Sequence, residues 1–117
     1  MYTLLYFYCV PKENTELFLS IQKKSSELYK KHGAIDDWTF APDNLNEKYG
    51  CSSFLKEISV LPTEELFFSI SLFKNKEEYE QIISTIDADE EIAKLFIEFS
   101  NLIDIPRVIR GEFNRLL

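Results

Sequence analysis

Tyr2 to Val10 is hydrophobic at eight of nine positions, with no alternation between apolar and polar residues. A strand with one wet face alternates, so this pattern predicts a strand covered on both sides. Pro11 to Asn14 breaks the run, and Asn14 is placed to cap a helix from about residue 14 to 32. Leu17, Phe18, Ile21, Leu28 and Tyr29 share one face of that helix, with Ser25 in the same stripe. Lys30, Lys31 and His32 lie at its negative pole, and Gly33 supplies the turn that ends it.

A second strand is expected from Ala34 to about Ala41, anchored by Ile35, Trp38 and Phe40, before a polar loop from Pro42 to about Ser53. Phe54 to Ile58 reads as a short edge or lead-in strand. Leu66 to Phe73 is a stronger one, with Leu66, Phe68, Ile70 and Leu72 on one face and Phe67, Ser69, Ser71 and Phe73 on the other. Asn75 with Glu78 has capping-box character and opens a helix striped by Tyr79, Ile82, Ile83 and Ile86. Asp89 caps another, striped by Ile92, Leu95, Phe96 and Phe99. Pro106 ends the connection, and Arg107 to Asn114 closes as a strand.

This order predicts an α+β fold: a ferredoxin-like βαββαβ antiparallel sheet with helices on one face, forming a single domain over residues 1–117. The helices of one chain cover one side of such a sheet, yet the first and third main strands are apolar on both. A second sheet from an identical chain is the simplest cover, which predicts a homodimer with an isologous interface.

Composition narrows the partners. The chain has 117 residues, 45% of them hydrophobic and 15% aromatic, enough to bury roughly two-thirds of its unfolded surface without staples. A net charge of −7 opposes binding to nucleic acid and to anionic membrane surfaces. No leader-like segment precedes Tyr2, no apolar run reaches membrane-span length, and two scattered cysteines suit a reducing compartment, so a cytoplasmic location is expected.

Val10-Pro11-Lys12, His32-Gly33-Ala34, Phe68-Ser69 and the closing Arg107 to Phe113 together resemble the YbaA-like family of uncharacterised bacterial proteins. That resemblance implies a dimeric α+β barrel. The superfamily includes cofactor-independent monooxygenases, haem-binding chlorite dismutases and ligand-binding domains of transcription regulators, so fold alone leaves function open. This chain has Leu4-Leu5 where family members tend to have Asp-Gly, Thr39 in place of a Glu, and Ile70 in place of a Trp. Any family site at those positions is lost or rebuilt here.

No constellation fixes a reaction. His32, the only histidine, sits at a helix end where a capping role suffices. Asp36, Asp37 and Asp43 come nearest to a carboxylate cluster, but Asp36 and Asp37 point to opposite faces of a strand and cannot chelate one ion together; with one His and two distant Cys, no metal is expected, and no cofactor is expected either. Cys9 is a packing residue in an apolar strand, Cys51 an ordinary loop residue, and the acidic run Asp87 to Glu91 a helix-start signal. Tyr6, Tyr8, Trp38, Ser69, Ser71 and Arg110 bring hydrogen-bonding groups into otherwise apolar strands, which marks them as ligand-binding candidates, with core or interface roles as the competing reading. The first expectation is a dimeric module that binds a small apolar or aromatic molecule, or another protein, without chemistry. The alternative is a cofactor-independent monooxygenase-like enzyme acting on an aromatic substrate.

Overall fold

The computed structural model describes residues 1–117. Its elements run β1 (Tyr2–Pro11), a 3-10 turn (Lys12–Asn14), α1 (Thr15–Lys31), β2 (Asp36–Phe40), α2 (Phe54–Glu57), β3 (Glu64–Phe73), α3 (Lys76–Asp87), α4 (Glu90–Ser100), a second 3-10 turn (Ile105–Arg107) and β4 (Ile109–Asn114). The sheet order is β2-β3-β1-β4, every neighbour antiparallel. This is the ferredoxin-like fold that the strand and helix order predicts.

Register sorts the side chains. Tyr6 lies opposite Ser69 and Arg110, and Ser71 opposite Asp37, so these residues share the face beneath the helices. Tyr2, Leu4, Tyr8 and Val10 point the same way and are buried, in two clusters. One joins Tyr2 and Leu4 to Ala34, Phe73 and Tyr79 of the α3 side. The other joins Tyr8 and Val10 to Phe18, Phe67 and Ile103.

The opposite face carries no helix, and it is apolar. Leu5, Phe7, Phe68, Ile70 and Leu72 stand half-buried there beside Trp38 and Phe40 of β2. Phe40 stacks on Phe68 with ring centroids 4.6 Å apart, and Phe7 lies 5.7 Å from Phe68 and 5.2 Å from Phe54. Trp38, Phe40, Ile109 and Phe113 remain 44, 38, 48 and 58% exposed. The both-sides-apolar pattern of β1 thus describes one covered face and one bare one.

Three sequence expectations change. Phe54 to Ile58 is not a strand: Ser53 Oγ accepts from the Leu55 backbone N–H and starts the single turn α2. Asn14 occupies the cap position of α1 but does not cap it, because its Nδ2 donates to the Leu102 carbonyl across the domain at 3.0 Å. β4 begins at Ile109 and not at Arg107, whose segment turns so that its guanidinium reaches Glu64. Gly33, Asn75 and Asp89 do what the sequence predicts. Gly33 takes φ +117° after α1, Asn75 accepts from Glu78 N at 2.8 Å, and Asp89 accepts from Glu91 N at 2.8 Å.

The Arg107–Glu64 pair holds the start of β3 to the approach of β4. The two guanidinium nitrogens donate to the two carboxylate oxygens at 2.7 and 2.8 Å, and Arg107 also donates to the Ser59 carbonyl at 2.7 Å. The Glu64 side chain is only 6% exposed, so truncating its partner strands a carboxylate. Arg107→Ala is expected to cost about 2 kcal/mol of stability in urea unfolding.

The pair also sets an acid limb. Arg107 holds the Glu64 carboxyl below its ordinary range, the Tyr2 hydroxyl and Arg110 do so for Glu112, and His32 does so for Asp89. A depressed folded-state pKa gives stability that is complete above the ordinary carboxylate range and lost as pH falls through the depressed value. Asp37 has the opposite sign, because burial raises it. With three carboxyls against one, the thermal midpoint falls as pH drops below about 4.5, and Arg107→Ala flattens that fall.

Candidate functional site

α1 and α4 are tied at both ends. His32 Nε2, at the C-terminal end of α1, lies 2.7 Å from Oδ2 of Asp89, the N-cap of α4. At the other end Asn14 holds Leu102, just beyond α4. Between these ties a cavity of about 180 Å³ lies over β1, bounded by both helices.

Its floor is Tyr6 and Tyr8, whose rings stack 5.8 Å apart. One wall is the α1 stripe Ile21, Gln22, Ser25 and Tyr29; the other is Ile92, Leu95, Phe96 and Phe99 of α4. Ile105 and Val108 close one end. Phe18 sits behind the floor, fully buried, with Tyr8, Phe67 and Phe99 at ring separations of 5.2, 5.3 and 6.0 Å. The aromatic packing behind the floor positions Tyr8.

The polar groups are set by burial and neighbours. The Tyr8 hydroxyl and Ser69 Oγ are 3.0 Å apart, and desolvation pushes the Tyr8 phenol well above its ordinary range, so it stays protonated. Desolvation does the same to Tyr29. Arg110 lies over the Tyr6 ring at 5.5 Å, donates from Nε to the Tyr6 hydroxyl at 3.3 Å and from Nη2 to Glu112 at 2.7 Å. Ser71 Oγ donates to Asp37 Oδ2 at 2.5 Å.

The six sequence candidates therefore separate. Tyr6 and Tyr8 line the cavity, Ser69 orients Tyr8 and Arg110 braces Tyr6. Ser71 is engaged with Asp37 and lines no cavity wall. Trp38 does not join them: its register partner is Ile70, on the bare face of the sheet. Strand parity decides this, since Trp38 and Asp37 are neighbours and point opposite ways. The cavity residues of α1 and α4 were legible only as helix stripes, which normally fill a core. Ser25 within the α1 stripe was the one sign that this face is not sealed.

His32 caps and ties helices, as its position suggested, and does not reach the cavity. No three His, Cys, Asp or Glu side chains cluster in a way that could hold a metal ion. No helix is long and apolar enough to cross a membrane.

Comparisons with known proteins bear on the family and the fold. A family model described as a protein of unknown function, DUF1428, matches residues 1–101. No curated protein matches the sequence. Among solved structures, a mutant of SnoaB, a cofactor-independent oxygenase from Streptomyces nogalater, is similar at TM-score 0.66 with 9% identity, over 99% of this chain and 93% of that one. A dimeric ferredoxin-like protein from an uncultured marine organism has TM-score 0.67 and 10% identity, over 99% of this chain and 95% of its own. An uncharacterised NIPSNAP domain protein from Burkholderia xenovorans has TM-score 0.64 and 8% identity, over 99 and 95%. At these identities the likeness is one of fold.

Proposed function

This chain belongs to the DUF1428 family, whose function is unknown, and on that footing we propose that it is a homodimeric small-molecule-binding module. The YbaA-like affiliation is proposed with it, on the short motifs quoted above. The observation that carries the reading is the cavity between α1 and α4, with ten hydrophobic residues among its twelve lining residues. Small-ligand sites are mostly apolar with a few placed polar groups, and an apolar cavity of roughly 150 Å³ in a protein core is large enough to take up benzene. The dimer rests on the bare sheet face: isolated soluble chains rarely leave so continuous an aromatic surface in water.

A cytoplasmic setting is part of the proposal, supported by the free thiols Cys9 and Cys51. Filling the cavity tests the binding role. Native mass spectrometry of the purified protein is expected to find a copurified small molecule, and Leu95→Trp, on the α4 wall, is expected to abolish its retention. A wild-type protein that carries nothing and takes up no aromatic probe sinks the reading.

A second reading, cofactor-independent oxygenation of an aromatic substrate, is favoured by the shared fold of SnoaB. The cavity supplies two phenols, Tyr8 and Tyr29, that burial keeps protonated, and no imidazole, so binding ranks first. Oxygen uptake on adding an aromatic quinol to the purified protein would favour the enzyme; no uptake counts against it.

A further inference from the structure

The cavity is chemically two-sided. The α4 wall is wholly apolar, whereas α1 presents Gln22, Ser25 and Tyr29, which at i, i+3 and i+7 lie on one helical face. Gln22 is already engaged, its Nε2 donating to Thr39 Oγ1 at 3.1 Å. Ser25 Oγ and Tyr29 Oη bond no other protein group. Every buried side-chain nitrogen or oxygen in the molecule has a partner, so neither of these unpaired hydroxyls is sealed inside the protein, and both residues line the cavity.

Charge is absent from the lining. None of the twelve lining residues is ionised at neutral pH. Arg110, which donates to the Tyr6 hydroxyl from outside the lining, is paired with Glu112. Asp37, on the same face of the sheet, is engaged by Ser71, and Lys30 is the cation that acts on it. An anionic ligand would surrender its hydration to this cavity and meet no opposite charge. A pure hydrocarbon would leave Ser25 and Tyr29 dehydrated and unpaired, a penalty on every binding event. Hydroxyls both donate and accept, so the pair matches a hydroxyl or a carbonyl equally well.

We propose that the ligand is an uncharged aromatic molecule bearing a hydroxyl or carbonyl group, its ring against Leu95, Phe96 and Phe99 and its polar group bonded by Ser25 and Tyr29. This rests on the binding role proposed above and specifies its ligand class. The polar group points toward α1, and the ring fills the α4 side.

Three probes of one shape test it: naphthol, naphthalene and naphthoate, titrated into the full chain at pH 7 with the ring fluorescence as readout. Naphthol is expected to bind roughly tenfold more tightly than naphthalene, the worth of one well-made hydrogen bond, and naphthoate more weakly than either. Tyr29→Phe keeps the ring and its packing, and Ser25→Ala suits a helix, so both should fold. Each is expected to lower naphthol affinity about threefold to tenfold and to leave naphthalene unchanged. Naphthoate binding as tightly as naphthol, or an unaltered naphthol to naphthalene ratio in both variants, overturns the ligand class. If naphthol and naphthalene bind equally and Leu95→Trp blocks both, the class fails and the binding role stands. If none of the three binds, both fail.

Discussion

Light scattering at micromolar concentration is expected to give twice the 13.8 kDa chain mass, and Phe40→Glu is expected to give the single chain. Phe40 stacks on Phe68 at the bare face, beside Trp38, and is 38% exposed in the lone chain. In an isologous interface each substitution is felt twice. Losing two half-buried aromatics costs roughly 2–4 kcal/mol in total, and the two carboxylates add desolvation, so the dissociation constant rises by about a thousandfold or more. β2 is an edge strand and Phe40 its last residue, so the fold itself should survive the change.

Trp38 supplies an independent readout, since it is the only tryptophan and stands on the same face, 44% exposed in the single chain. Its emission should be blue-shifted in the wild-type protein and red-shifted in Phe40→Glu. A wild-type mass of one chain at micromolar concentration, with red-shifted emission, would defeat the dimer. It would leave the cavity untouched, because Trp38 and the cavity lie on opposite faces of the sheet.

Legibility in the sequence followed periodicity. Eight apolar residues without alternation located β1 and told that both its faces needed cover, and Gly33, Asn75 and Asp89 marked helix boundaries through local chemistry that works the same way in any fold. Asn14 and Phe54 misled for different reasons, one a remote partner and the other a local cap that outweighed the strand-like run. Leu102, remote in sequence, takes the Asn14 amide, and the Ser53 hydroxyl turns Phe54 into a helical start. Trp38 shows a further limit. Its chemistry suited a ligand site, but parity within β2 sends it to the face away from Tyr6 and Tyr8. The cavity was least visible, because Ile92, Leu95, Phe96 and Phe99 have the spacing of a core stripe whether or not the facing helix packs flush against them.

Phe18→Ala is expected to be the most damaging single truncation, lowering stability by about 3–5 kcal/mol in urea unfolding at fixed protein concentration. Phe18 has no exposed surface and sits among Tyr8, Phe67 and Phe99. Its loss removes a ring from the centre of the second core cluster and leaves a void that the sheet cannot close. The consequence extends to the site: Tyr8 loses the edge contact that holds it under the cavity, so the variant should bind aromatic probes more weakly even where it remains folded. Leu17→Ala is the matched control. Leu17 is the adjacent residue of the same helix but is 59% exposed, so it should shift stability by less than about 1 kcal/mol and leave probe affinity unchanged. Equal losses for the two variants would mean that α1 does not present this face to the sheet, and the cavity between α1 and α4 would go with it.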